Sequence, residues 1–187
     1  MSDYSTSKAN QRKVRQAKRQ WFEQYCNRLS EGILLEAKSG VKYCCPCCGY
    51  PTLDERGGYD ICELCNWEDD GQDDPHAAEV WGGPNSHYSL SLARENFARY
   101  FIMYSPDDLQ RSVSGNSPAG LKAKQSIAAA FDAMPQADES ERIRLWKLVK
   151  AGEKILYAEL VRRVGEMEIE AKNANDVESC LDFRERS

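Results

Sequence analysis

Six of the chain's eight cysteines fall between Cys44 and Cys65, and this clustering constrains the fold more than any other feature of the sequence. The segment opens Tyr43-Cys44-Cys45-Pro46-Cys47-Cys48-Gly49 and closes Cys62-Glu63-Leu64-Cys65, with thirteen residues between Cys48 and Cys62. Two C-x-x-C pairs at this spacing are the pattern of a tetrahedral four-cysteine zinc site, which needs two tight turns presented by the arms of a hairpin. The chain opens with no signal-peptide h-region, so the expected setting is cytoplasmic, where thiols stay reduced and bind metal rather than pair as disulfides. No apolar run exceeds five residues, against the roughly 20 needed to span a bilayer, so no membrane partner is expected.

The first pair has two possible registers, Cys45/Cys48 and Cys44/Cys47. The reading taken is Cys45 and Cys48 with Cys62 and Cys65. Gly49 then follows the second ligand, where positive φ turns backbone N–H groups toward the sulfurs, and Asn66, which also tolerates that region, follows Cys65. Tyr50-Pro51-Thr52-Leu53 and Gly58-Tyr59-Asp60-Ile61 are expected to pair as short strands across the Asp54–Gly57 turn. Such a piece cannot bury enough apolar surface to fold alone. Structural Zn2+ would supply the stability, roughly 10 to 16 kcal/mol in small zinc domains, and its removal is expected to unfold residues 43 to 68. A thiol redox pair is the competing reading of C-P-x-C, but Gly49-Tyr50-Pro51 is a poor start for the helix that chemistry requires. Cys44 and Cys47 remain as neighbours of the metal or reactive thiols, and Cys26 and Cys180 as packing residues.

Helical patterning surrounds this segment. Residues 8 to 29 place Val14, Ala17, Trp21, Tyr25 and Leu29 on one stripe, with Thr6 or Ser7 as cap and a solvated basic face. Ile33 to Leu35 suit a short strand. Leu92 to Tyr104 suit an amphipathic helix of about four turns, Ser105-Pro106-Asp107-Asp108 a short helix, and Ser112 to Gly120 a linker. Ser117-Pro118 starts a helix ended by Pro135. Asp138 with Glu141 makes a capping box for a long helix over 139 to 171, interrupted at Gly152, which is expected to pair antiparallel with 118 to 134 or with the N-terminal helix. The last fifteen residues read as loosely ordered.

The fold class expected is α+β and mostly helical: a small zinc ribbon flanked by an N-terminal helix and a C-terminal helical hairpin. The organisation reads as a basic helix and connector (1–40), a ribbon with one packed helix (41–111) and a helical extension (112–187).

The net charge of −5 hides an asymmetry. Residues 1 to 30 hold seven Lys/Arg against Asp3 and Glu23, or +5, whereas residues 44 to 90 hold ten Asp/Glu against Arg56, or −9. Glu68, Asp69, Asp70, Asp73 and Asp74 crowd five carboxylates into seven residues. Such a loop is read three ways: solvated, a second cation site, or a docking patch for a basic protein. The EF-hand order is absent, which disfavours calcium. A segment at −9 repels phosphate backbones, so nucleic acid binding, through the basic helix, is the second choice. His76 and His87 read as loop residues. No P-loop, G-x-S-x-G, H-E-x-x-H or deaminase pattern is present, and a closed four-cysteine site offers no open position, so no catalytic residue is expected.

The ordered run CPCCGY, C-x-x-C, Trp67-Glu68-Asp69-Asp70, Gly82-Gly83-Pro84-Asn85 and Ser89-Leu90-Ser91-Leu92-Ala93-Arg94-Glu95-Asn96-Phe97 resembles the bacterial cysteine-rich CPCC family over about residues 43 to 102. The resemblance implies a zinc-ribbon-like module with one packed helix, no assigned catalysis, and an association with toxin genes as candidate antidotes. The extra Cys44, the missing Pro in Cys62-Glu63-Leu64-Cys65 and the long flanking helices depart from that pattern. The functional expectation is a non-enzymatic, zinc-stabilised protein-binding module, an immunity protein for a basic toxin or nuclease. Glu68, Asp69, Asp70, Asp73 and Asp74 would steer the partner, while Trp67, Trp81 and Tyr88 anchor it.

Overall fold

The computed structural model describes residues 2–30, 42–110 and 116–184. Among these residues, four helices surround a small cysteine-rich centre: α1 (Ser2–Ser30), α2 (Leu90–Tyr100), α3 (Pro118–Ala133) and α4 (Glu139–Arg184), with strands β1 (Tyr43–Cys44) and β2 (Pro51–Leu53). The fold is thus a ribbon flanked by helices. The expected strand at 33–35 and the proposed boundaries near 40 and 112 lie outside the described residues.

The strand pairing differs from expectation. β2 does not pair with Gly58–Ile61. It pairs antiparallel with β1, Tyr43 opposite Leu53 and Cys44 opposite Pro51, while Ile61 bridges to Glu68. Each C-x-x-C turn therefore closes its own miniature hairpin, because the residues flanking a tight turn are already side by side. Between the two hairpins, Asp60 accepts the backbone N–H groups of Asp54 and Glu55, so the 54–60 segment folds as a carboxylate-held loop rather than a ladder.

α1 begins at Ser2, which puts Thr6 and Ser7 inside the helix rather than at its cap. Its docked face also differs from the apolar stripe. Val14 is 60% exposed, whereas Phe22, Tyr25 and Cys26 are buried and Arg15, Lys18 and Arg19 are half-buried beside them. The basic residues turn inward because the surface they meet is acidic: Lys18 pairs with Asp132 at 2.6 Å, Arg19 with Asp73 at 2.7 Å and Arg15 with Asp74 at 3.3 Å.

α2 is capped by the Ser89 hydroxyl, which accepts the Leu92 N–H at 3.2 Å. Phe101 at φ +55° caps it after Tyr100, four residues short of the Tyr104 that the periodicity suggested. Ser105–Asp108 closes as a single turn, not a short helix, with the Asp108 N–H on the Ser105 carbonyl. α3 starts at the Ser117 cap as expected, and Asp138 Oδ1 accepts the Glu141 N–H at the start of α4. α4 runs unbroken through Gly152 to Arg184, through most of the segment expected to be loose. Gly152 marks a close crossing: a Cβ there would lie 2.5 Å from Ile127 Cγ1 of α3. α4 returns along α3, with the Arg142 side chain donating to the Met134 carbonyl near the turn.

The elements converge on Phe131. It stacks on Tyr50 at 5.4 Å and meets Phe22 and Trp146 edge-on at 5.5 and 5.6 Å. Trp146 Nε1 donates to the Tyr25 hydroxyl at 3.1 Å, and Trp21 stacks on Tyr25 at 4.8 Å. One aromatic cluster thus joins α1, the ribbon and the α3/α4 hairpin, each ring pair adding roughly 0.5 to 1.5 kcal/mol beyond its area.

Candidate metal centre

Both knuckles repeat one backbone plan. In the first, Gly49 N–H donates to the Cys45 carbonyl and Cys45 N–H to the Tyr50 carbonyl, each at 2.9 Å. In the second, Asn66 N–H donates to the Cys62 carbonyl at 2.8 Å and Cys62 N–H to the Trp67 carbonyl at 2.9 Å. Gly49 and Asn66 both adopt the left-handed region, at φ +79° and +65°. The small residue demanded after each second cysteine is therefore there for a backbone reason.

The plan aims four sulfurs at one point. The Sγ atoms of Cys45, Cys48, Cys62 and Cys65 lie within 4.8 Å of one another, with Cys45–Cys65 at 3.5 Å and Cys48–Cys62 at 3.6 Å. A tetrahedral ion with metal–sulfur bonds of about 2.3 Å sets sulfur–sulfur edges of about 3.8 Å, and a disulfide would need about 2.05 Å. The spacing fits a metal and excludes a bridge. Cys45, Cys62 and Cys65 are fully buried and Cys48 nearly so, so no coordination position faces solvent.

The thiols' electrostatics also call for a cation. Burial pushes Cys45 and Cys65 well above the ordinary thiol range, and Cys48 upward too. Burial opposes ionisation of Cys62 as well, but hydrogen bonds from Cys45, Cys48, Cys65 and Thr52 overcome it and hold Cys62 well below that range. The Thr52 hydroxyl lies 3.0 Å from Cys62 Sγ. One thiolate forms readily, and four coexist only around positive charge.

The remaining thiols are of another kind. Burial pushes Cys44 up to about 12 and Cys26 up to about 11, which keeps both protonated at neutral pH. Cys44 Sγ faces the Arg19 carbonyl at 3.9 Å, and Cys47 is buried. The side chain of Cys180 lies outside the described residues.

Residues 43–114 match the family model described as Cysteine-rich CPCC. Over this segment the chain is similar to the cysteine-rich CPCC family. No curated protein and no solved structure matches the chain. The CPCC module ends before α3, so α1, α3 and α4 lie outside the matched residues.

Around the module the acidic run is largely spoken for. Asp69 is fully buried, its Oδ2 accepting Arg56 Nε at 2.7 Å and Gly57 N–H at 2.9 Å. Asp73 binds Arg19 at 2.7 Å and Arg56 at 3.3 Å. Although burial works against it, those guanidiniums and the Asp74 N–H hold its carboxyl well below the usual range. Asp74 binds Arg94 at 2.8 Å and Arg15 at 3.3 Å, and is lowered likewise. Asp70 accepts Asn85 Nδ2, and the backbone of Glu68 pairs with the Asn85 amide.

Trp67 is buried under the second knuckle and Tyr88 is buried with its hydroxyl on Asp108, so neither presents a surface anchor. Trp81 is 47% exposed, with Nε1 on Glu79. His76 and His87 are exposed in loops, His76 beside Glu79 at 3.0 Å.

Sequence reasoning missed two groups. The arginines that hold the acidic run are one. The other is Lys124, buried with Nζ on Asn66 Oδ1 at 3.1 Å and on the Phe101 carbonyl at 3.3 Å. Burial lowers its pKa to about 8 despite the nearby cysteines. Its signal was position: it precedes Ala128 by four and Phe131 by seven residues on the inward face of α3.

Proposed function

We propose that this chain is a non-enzymatic zinc protein whose CPCC module, held rigid by one structural Zn2+, is a platform for binding another protein. The observation that carries the reading is the closed, buried set of four cysteine sulfurs. Soft thiolates in tetrahedral array select zinc or iron among common metals, and a site with no open position supplies stability rather than a reacting water. The need for reduced thiols supports a cytoplasmic setting. No helix among the described residues is long and apolar enough to cross a membrane.

The partner we infer is basic, in keeping with an immunity role against a toxin or nuclease. The contact surface differs from the one read in the sequence, because Trp67 and Asp69 are internal and Asp73 and Asp74 are held by arginines. What remains outward is the exposed Glu79, the half-buried Glu68 and Asp70, and the exposed apolar side chains of Tyr59, Ile61, Val80 and Trp81. Large apolar residues beside carboxylates suit a partner surface carrying both Arg and apolar side chains. Nucleic acid is disfavoured further, since Arg15, Lys18 and Arg19 are engaged within the chain.

The test pairs metal analysis with binding. Zinc is measured by mass spectrometry on the purified protein, and the product of the neighbouring gene is titrated against wild type, Trp81→Ala and Glu79→Lys. One zinc per chain and at least tenfold weaker binding by either variant are expected. No zinc, or variants that bind like the wild type, would contradict the proposal.

A further inference from the structure

Lys124 is the single lysine or arginine buried among the described residues, at 4% exposure, and no carboxylate lies within ion-pair distance of it there. A buried ammonium without a counter-ion is costly, so a fold that keeps one places it against some other negative charge. Two neighbours identify that charge. Asn66, which holds Nζ at 3.1 Å, directly follows Cys65 in the left-handed turn of the second knuckle. The Phe101 carbonyl accepts from Nζ at 3.3 Å; Phe101 is the C-cap residue of α2, its N–H on the Phe97 carbonyl, at the end where the helix dipole is negative. Four thiolates around a divalent cation leave a net charge of −2, and Cys65, Cys62 and Cys48 are the nearby groups whose charge favours the ammonium.

We propose that Lys124 is the counter-charge of the metal centre, contributed by α3 from outside the CPCC module, and that the helical hairpin thereby completes the metal site. The metal set and the buried lysine then explain one another: the ammonium halves an uncompensated −2, and the tetrathiolate supplies the anion that the lysine lacks. Lys124 touches no ligand sulfur, so it acts as a positioning residue through Asn66 and through its field. Metal affinity thus depends on docking of α3, and α3 docking on metal. This rests on the metal reading above.

The test compares Zn2+ dissociation constants by chelator competition at pH 7.4 for wild type, Lys124→Gln, Lys124→Met and Lys124→Arg, all in the full chain with folding checked by circular dichroism. Outer groups around metal sites typically change affinity 10- to 100-fold. Both Gln and Met are expected to weaken zinc binding by at least tenfold, and Arg to restore most of it. Because Gln can still hydrogen-bond, its loss reports charge. In Co2+-loaded protein the sulfur-to-metal charge-transfer band should move to lower energy in Lys124→Gln, a shift that a hydrogen-bonding role alone would not produce. Gln and Met variants that bind within twofold of wild type with an unmoved band overturn this inference alone. A wild-type chain that binds no zinc overturns the metal reading and this inference together.

Discussion

The ion pair between Arg19 of α1 and Asp73 is where the basic arm and the acidic run meet, and its energy can be worked from the structure. The N–O distance is 2.7 Å and the two side chains are 26% and 28% exposed, between a solvated surface pair and a buried one. Exposed pairs contribute about 0 to 1 kcal/mol and charge-assisted hydrogen bonds about 1.5 to 3 kcal/mol. Neither partner is orphaned by loss of the other, because Arg19 also binds Glu23 and Asp73 also binds Arg56. The expected coupling is therefore about 1 kcal/mol. The assay is a double-mutant cycle of Arg19→Met and Asp73→Asn by urea unfolding of metal-loaded protein. At this chain length 1 kcal/mol corresponds to roughly 2 to 4 °C in Tm. In 0.5 M salt, where the Debye length is about 4 Å, the coupling should fall by roughly half. The control is Arg12→Met, at an exposed position of the same helix. A coupling below about 0.3 kcal/mol, or an Arg12→Met cost equal to that of Arg19→Met, would show that α1 is not locked by these charges.

Two further perturbations have signs that the structure decides. Gly152→Ala and Gly165→Ala both gain roughly 0.5 to 1 kcal/mol of helix propensity, but the new methyl at 152 meets Ile127 at 2.5 Å while that at 165 meets nothing within 4 Å. Calorimetry should therefore find the first destabilised by about 1 to 2 kcal/mol and the second stabilised; equal shifts would refute the close helix crossing. Acid should unlock α1: the carboxyls of Asp73 and Asp74 are depressed, so their contribution is full above the unfolded value near pH 4 and is lost as pH falls below it. Melting followed from pH 7 to pH 3 should show a shallower acid loss in Asp73→Asn than in wild type, and identical slopes would contradict the assignment.

The metal centre was legible because its demands are local. Cys45, Pro46 and Gly49, and Cys62 and Asn66, state their turn geometry within five residues, and that geometry selects the register. Helix starts at Ser117 and Asp138 were legible for the same reason, a side chain capping its own neighbours. Partner choice was not legible. β2 pairs with β1 rather than with Gly58–Ile61 because each knuckle folds back on itself before the thirteen-residue arm can compete. The face of α1 was misread because apolar periodicity favoured Val14 and Ala17, whereas the surface it meets rewards Arg15 and Arg19. A −9 segment and a +5 segment in one chain are most simply each other's partners, and that pairing was already in the charge distribution. The burial of Lys124 was signalled by its position on α3, but what it faces was not, because Asn66 and Phe101 come from other elements.

The most direct test of the account is X-ray absorption at the zinc edge on the 187-residue chain. A closed structural site predicts one zinc per chain surrounded by four sulfurs at about 2.3 Å, unchanged in a Cys44→Ala/Cys47→Ala variant. A shell with fewer than four sulfurs, or with a nitrogen or oxygen ligand in place of one, would contradict a closed Cys45/Cys48/Cys62/Cys65 centre.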